Sequence, residues 1–218
     1  MMKISVITKV SFFLMTAFFL SCVQKPEEYA VIDTEEGQIV LKFFPDVAPK
    51  HVESFKILAR DGYFNGTSFH RIVPGFVIQG GDPNSKDGDR YNDGLGGRAG
   101  KYYGIGEKDN PDTWMLPAEF NDRPHRRGTL SMARGSHENS AGSQFFICVG
   151  DQFQLDNKYT VFGEVIEGLD TVDRIVETLT PRKRNPNYER PDGYNPVFGM
   201  FMDITIGTAE ELKLDLSI

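Results

Sequence analysis

An apolar run over residues 69–81 contains two polar side chains that a core strand does not ordinarily accommodate. It reads Phe69-His70-Arg71-Ile72-Val73-Pro74-Gly75-Phe76-Val77-Ile78-Gln79-Gly80-Gly81. Burying a guanidinium or an amide without a partner costs several kcal/mol, so Arg71 and Gln79 must face something polar. The Pro74-Gly75 step breaks the run, which predicts two short strands joined by a turn.

Strand alternation within this run predicts a binding surface. Successive strand residues point to opposite faces, which places Val77 and Gln79 on one face, Ile78 on the other and Phe76 at the turn. An arginine and an amide beside an apolar floor suit a ligand that is part apolar and part amide. A hairpin with a surface arginine and a solvated glutamine is the alternative that this run alone leaves open.

Further motifs follow in a fixed order along the chain. They are Leu130-Ser131-Met132-Ala133-Arg134, Gly142-Ser143-Gln144-Phe145-Phe146-Ile147, Leu155-Asp156 and Val161-Phe162-Gly163-Glu164-Val165. Together with FHRIVPGFVIQGGD, they resemble the signature of the cyclophilins, the peptidyl-prolyl cis-trans isomerases. The form SMARGSHENSAGSQFFI, with LPAEF upstream, resembles the bacterial branch. The resemblance covers about Tyr29 to Ile206.

The resemblance implies a mainly β fold, a closed antiparallel eight-stranded barrel capped by two α-helices. The residue patterns favour the same elements. Strand-like runs YAVID and QIVLKFF flank a hairpin turn, and an amphipathic helix begins near Pro49 and stops at Gly62. A second helix is predicted from Leu169 to Leu179. Two long loops, near 82–113 and 180–196, are predicted as insertions.

The resemblance also assigns roles to the motif residues. Arg71 is the expected catalytic residue, and Gln79 is expected to hold it. The expected proline pocket consists of Phe76, Val77, Phe146, Leu155 and Tyr159. Gln144 and the backbone at Ala133 and Arg134 are expected to bind the residues that precede the proline. The implied reaction is rotation about an X-Pro bond in a polypeptide, which needs neither a cofactor nor a metal.

Other functional classes find little support in the sequence. The four histidines lack metal-ligand spacing, and no G-x-S-x-G or phosphate-binding glycine motif is present. A formal net charge of −7 disfavours nucleic acid as a partner. The serious rival is a non-catalytic module of the same fold that binds proline-containing segments or acts as a chaperone. The presence of Arg71 favours catalysis, because non-catalytic cyclophilins often lack it.

The first residues predict export. Lys3 and Lys9 supply a charged segment, and Val10 to Leu20 form an apolar stretch of signal-peptide length, so residues 1–21 are interpreted as a signal peptide. Ser21-Cys22 then resembles the lipobox of bacterial lipoproteins, in which the cysteine is acylated.

Lipidation at Cys22 would make residues 22–28 a tether for an isomerase domain at 29–218. This arrangement predicts a monomer anchored to a membrane of the cell envelope, facing the periplasm or the cell surface. An ordinary cleaved secretory peptide, with Cys22 as a spare thiol, remains an alternative. A bridge between Cys22 and Cys148, the only other cysteine, is also open.

Overall fold

The computed structural model describes residues 26–216, so the predicted signal peptide and Cys22 lie outside the described part of the chain. The strands in this range are β1 Glu28–Thr34, β2 Gly37–Phe43, β3 Thr67–Ser68, β4 Arg71–Val73, β5 Val77–Gly80, β6 Thr129–Met132, β7 Phe145–Cys148, β8 Val161–Glu167 and β9 Phe201–Thr208. The helices are α1 Pro49–Arg60, α2 Leu169–Glu177 and α3 Pro181–Arg184. Short 3-10 turns lie at Pro83–Lys86, Pro111–Thr113, Phe153–Leu155 and Pro191–Tyr194. Between residues 26 and 216, no helix combines the length and apolarity needed to cross a bilayer.

The prediction of a mainly β chain is confirmed, but the closed eight-stranded barrel is corrected. The described residues form one curled antiparallel sheet of nine strands, in the order β3-β9-β1-β2-β8-β6-β7-β5-β4. The edge strands β3 and β4 do not pair with each other. Only Phe69 and His70 separate them in sequence, so the covalent chain passes directly from one edge to the other. The Phe69 amide donates to the Met200 carbonyl at this junction, and its side chain is fully buried.

Both predicted long helices form, with one change in length. Helix α1 begins at Pro49 and buries Val52, Phe55 and Leu58, as its spacing predicts. Helix α2 ends at Glu177, two residues before the predicted end at Leu179, because Thr178 already has an extended backbone. The one-turn helix α3 was not predicted and lies inside the expected insertion at 180–196.

An aromatic cluster anchors α1 to the sheet. The ring of Phe55 lies 4.9–5.6 Å, centroid to centroid, from the rings of Phe43, Phe64, Phe145 and Phe162. Such ring contacts add to the stabilisation from area burial alone. This packing holds the inner face of the sheet against α1 and leaves the outer face of β4, β5, β6 and β7 available for a site.

Strand register separates the core from that outer face. One row across β4, β5, β7 and β6 consists of Arg71, Gln79, Phe146 and Ser131. The adjacent row consists of Ile72, Ile78, Ile147 and Leu130, all with no solvent exposure. Because strand side chains alternate in direction, the aliphatic row enters the core and the mixed row lies on the opposite face.

Candidate active site

A cavity of about 370 Å³ lies over the mixed row of side chains. It is lined by Arg71, Phe76, Val77, Gln79, Ala133, Arg134, Phe146, Leu155 and Tyr159. These are nine of the ten residues expected to catalyse the reaction or bind substrate. The tenth, Gln144, does not line the cavity but bonds directly to Gln79.

A directional chain of hydrogen bonds supports Arg71. The guanidinium Nη1 donates to Gln79 Oε1 at 3.3 Å, and Gln79 Nε2 donates to Gln144 Oε1 at 3.0 Å. Gln144 Nε2 then donates to the carbonyl of Gly96 at 2.7 Å. In both Gln79 and Gln144, the amide oxygen accepts a hydrogen bond from the Arg71 side, and the amide nitrogen donates one in the opposite direction. The orientations of the two amides are therefore fixed. The arginine is thereby positioned by neutral groups.

The positive charge of Arg71 has no carboxylate partner within the described residues. Its guanidinium carbon lies 5.6 Å from the centroid of the Phe76 ring, a cation–π contact that leaves N–H donors free. Burial lowers the pKa of Arg71, and the phenols of Tyr194 and Tyr159 partly oppose that shift. An arginine side chain nevertheless stays protonated at physiological pH. A fixed cationic donor therefore borders the cavity.

The apolar part of the cavity is closely packed. Phe146 is 4% exposed and meets Tyr159 edge-on, with ring centroids 5.7 Å apart. Phe76 follows the turn at Pro74 and Gly75, where Gly75 adopts φ +71, a value that suits glycine. Val77 lies beside Phe146 in the same buried cluster, which Leu155 borders. The result is an apolar pocket next to a cationic donor.

Comparison with known proteins identifies this arrangement. A family model described as cyclophilin type peptidyl-prolyl cis-trans isomerase/CLD matches residues 29–191. The chain belongs to the cyclophilin family.

Relatives of this cyclophilin include bacterial proteins and solved structures. A probable peptidyl-prolyl cis-trans isomerase of Brucella abortus is 43% identical over 150 residues, covering 69% of this chain and 72% of the relative. A peptidyl-prolyl cis-trans isomerase of Synechococcus elongatus is 39% identical over 155 residues, covering 67% and 92%. A cyclophilin type isomerase of Cryptosporidium parvum, crystallised in the presence of the dipeptide Ala-Pro, superposes with a TM-score of 0.66 at 29% identity. That match covers 83% of this chain and 99% of the other.

A buried network behind Phe146 was not predicted from the sequence. The fully buried His125 lies with its Nδ1 2.9 Å from the Asp156 carboxylate and its Nε2 2.9 Å from the Ser131 hydroxyl. Its ring stacks on Phe146 at 6.0 Å between centroids. His125 and Asp156 are 31 positions apart, so no local spacing signals the pair. The network fixes the back of the cavity in this cyclophilin.

Arg134 stabilises a wall of the cavity with its side chain. Its Nε and Nη2 donate to the Lys158 carbonyl at 3.0 and 2.8 Å, and its guanidinium lies 4.8 Å from the Tyr159 ring centroid. The side chain therefore holds the segment that carries Tyr159. This contact is compatible with the expectation that substrate meets the backbone of Arg134.

Thiol and metal chemistry have no assembled site in the described part of this cyclophilin. Cys148 is completely buried in β7, and burial raises the pKa of its thiol to about 12. A thiol that remains protonated is a poor nucleophile and a poor metal ligand. Over residues 26–216, no group of three or more histidine, cysteine, aspartate or glutamate side chains could hold a metal ion.

His70, next to Arg71, is a second feature that the sequence did not predict. It is 4% exposed, and neither ring nitrogen makes a hydrogen bond with the described residues. Burial lowers its pKa from 6.5 to about 4, with Asp82 opposing and Arg71 reinforcing the shift. The ring is thus neutral in the folded protein near pH 7.

We expect His70 to make this cyclophilin less stable in mild acid. The unfolded chain protonates histidine near pH 6.5 while folded His70 resists protonation, so stability is lost as the pH falls from about 6.5 toward 4. Urea unfolding at a series of pH values should show His70 accounting for about 2–3 kcal/mol of the loss by pH 4.5. The variant His70→Gln should flatten this profile, whereas His137→Gln, at an exposed histidine, should not. An equal slope in both variants would contradict the assignment.

Proposed function

We propose that this cyclophilin accelerates cis-trans rotation about X-Pro bonds in exported polypeptides. The observation that carries the proposal is the placement of Arg71, a cation held by neutral amides at the edge of an apolar pocket. A charged donor without a carboxylate partner is available to a ligand. An apolar pocket beside it suits a proline ring.

The chemistry requires only that the twisted amide be favoured over the planar forms. Rotation about an X-Pro bond interrupts amide resonance, with a barrier of about 18–20 kcal/mol. In the twisted state, the prolyl nitrogen becomes pyramidal and regains a lone pair. An Arg71 N–H donates to that lone pair in a charge-assisted hydrogen bond, which stabilises the transition state more than the ground state.

The remaining cavity residues hold the two ends of the bond. Phe146, Val77 and Leu155, with Phe76 and Tyr159, surround the proline ring and keep it fixed. Gln144 and the backbone at Ala133 and Arg134 bind the residues that precede the proline. The carbonyl side of the amide then turns while the ring stays in place, and no covalent intermediate or cofactor takes part.

We expect Arg71→Ala to lower kcat/KM for an X-Pro peptide by roughly 10²–10³, the range seen when one transition-state hydrogen-bond donor is removed. The assay is cis-to-trans conversion of a proline tetrapeptide by the domain that begins at residue 26. Arg60→Ala on α1, which removes the same charge from the surface, is the matched control. Near-parental turnover by Arg71→Ala would exclude the proposed role.

The same assay addresses the rival function. A module that only binds proline-containing segments would retain peptide affinity, measured by titration, but show no turnover in the parent protein. Unpaired Arg71 favours catalysis, because simple capture of a proline ring needs no cationic donor at its edge.

We further propose that the protein works in the cell envelope as a lipid-anchored monomer. Lys3, Lys9 and the apolar stretch from Val10 to Leu20 support export, and the position of Cys22 after that stretch supports acylation. The burial and raised pKa of Cys148 make a bridge to Cys22 unfavourable without opening of the sheet. A lipid at Cys22 would retain the isomerase beside newly exported chains.

The anchor can be tested with the full chain expressed in a bacterium. We expect the protein to fractionate with membranes, and its intact mass should correspond to the chain from Cys22 onward plus attached acyl groups. Cys22→Ala should lose the acyl mass and leave the membrane fraction. A parent protein that is cleaved but carries no lipid would support an ordinary secretory peptide instead.

A further inference from the structure

The two insertions, at 82–113 and 180–196, are joined to each other beside the candidate active site. Two bonds join them directly, Arg190 Nη1 to the Tyr91 hydroxyl at 2.9 Å and Asn195 to the Asp93 carboxylate. A third runs from the Arg90 guanidinium to the carbonyl of Val197, the residue that follows the second insertion. The first insertion is also tied to the site, because Gln144 donates to the Gly96 carbonyl. The insertions therefore form one continuous surface attached to the cavity.

This surface adjoins the Arg71 end of the cavity. The 3-10 turn Pro191–Tyr194 packs against β4, the edge strand that carries Arg71. In the strand order β6-β7-β5-β4, β4 lies at the opposite end from β6, after which Ala133 and Arg134 follow. Ala133 and Arg134 are proposed to bind the substrate residues that precede the proline. The turn at the opposite end therefore borders the substrate residues that follow the proline.

Arg182 and Tyr194 give the surface beside this end of the cavity its chemical character. Tyr194 belongs to the turn that packs on β4, and Arg182 belongs to α3, which packs on the same turn. Neither residue lines the cavity itself. The guanidinium of Arg182 lies 5.0 Å from the centroid of the Tyr194 ring. The Arg182 side chain packs so closely on Gly193 that a Cβ there would lie 3.0 Å from Arg182 Nε. The arginine is thus held in place against the turn by packing, beside the aromatic ring of Tyr194.

The guanidinium groups at this end of the cavity lack anionic partners within the described residues. The Nε of Arg182 is buried and makes no hydrogen bond with the residues that the structure describes. Neither Arg182 nor Arg71 has a carboxylate within ion-pair distance in the described range, although the chain carries a net charge of −7. Partly buried guanidinium groups without anions are costly, and a carboxylate is their best complement.

We propose that Arg182 and Tyr194 form a subsite for an acidic side chain directly after the substrate proline. The subsite makes this cyclophilin prefer X-Pro-Glu and X-Pro-Asp sequences over their neutral counterparts. This inference rests on the proposed isomerase function and adds a substrate preference to it. Arg182 supplies the charge, and Tyr194, in the turn that packs on β4, supplies a hydroxyl donor.

The test uses two nearly isosteric peptides, acetyl-Ala-Ala-Pro-Glu-amide and acetyl-Ala-Ala-Pro-Gln-amide, which differ in one charge. The ratio of their kcat/KM values, measured by NMR exchange, should favour the glutamate peptide roughly five-fold at low salt. Added salt should reduce the ratio, because Arg182 and Tyr194 are both partly exposed and solvent ions would screen the charge pair. Arg182→Gln should bring the ratio close to one, and Tyr194→Phe should lower it partway.

Arg184→Gln is the matched control, since Arg184 lies on the same helical turn, is exposed and carries the same charge. This variant should keep the parental ratio. A parental ratio near one, or equal losses in Arg182→Gln and Arg184→Gln, would overturn the subsite while leaving the isomerase function intact. If the enzyme turned over neither peptide, the proposed function would be overturned. In that case the binding affinities of the two peptides, measured by titration, would test the subsite separately, and equal affinities would overturn it as well.

Discussion

The register of β4, β5, β7 and β6 is the constraint on which the site depends. These strands align Arg71, Gln79, Phe146 and Ser131 in one row and four buried aliphatic residues in the next. Because side-chain direction alternates along a strand, a slip of one residue would put the arginine and glutamine into the core. The cost of burying those polar groups, together with burial of the aliphatic row, fixes the register. The same pattern that stabilises the fold therefore assembles the cavity.

The second essential feature is that uncharged amide side chains hold the Arg71 guanidinium in place. A carboxylate could hold the guanidinium more strongly, but it would also satisfy the charge that a twisted amide needs. Gln79 and Gln144 position the group by hydrogen bonds and leave its charge uncompensated. The cost of this arrangement is offset elsewhere, in the aromatic cluster around Phe55 and the buried network of His125.

Local signals in the sequence predicted much of this structure. The Pro74-Gly75 break, the α1 spacing and the alternation at Val77, Ile78 and Gln79 all appear as expected, because each depends on neighbouring residues. The ordered motifs also identified the residues that surround the cavity. Long-range features were not predictable in this way. The pairing of His125 with Asp156 and the bonds between segments 82–113 and 180–196 bring together residues that no spacing rule connects.

The proposed role of Arg71 depends on its unpaired charge, and two substitutions at Gln79 test this most directly. Gln79→Glu preserves the size of the side chain but places a carboxylate against the guanidinium, whereas Gln79→Met removes the hydrogen bond without adding charge. With Arg71 present in both, kcat/KM for an X-Pro peptide should fall more than about ten-fold further in Gln79→Glu than in Gln79→Met, since charge-assisted pairing removes the donor from the substrate. If Gln79→Glu turned over the peptide as fast as Gln79→Met, the charge of Arg71 would not be the source of catalysis.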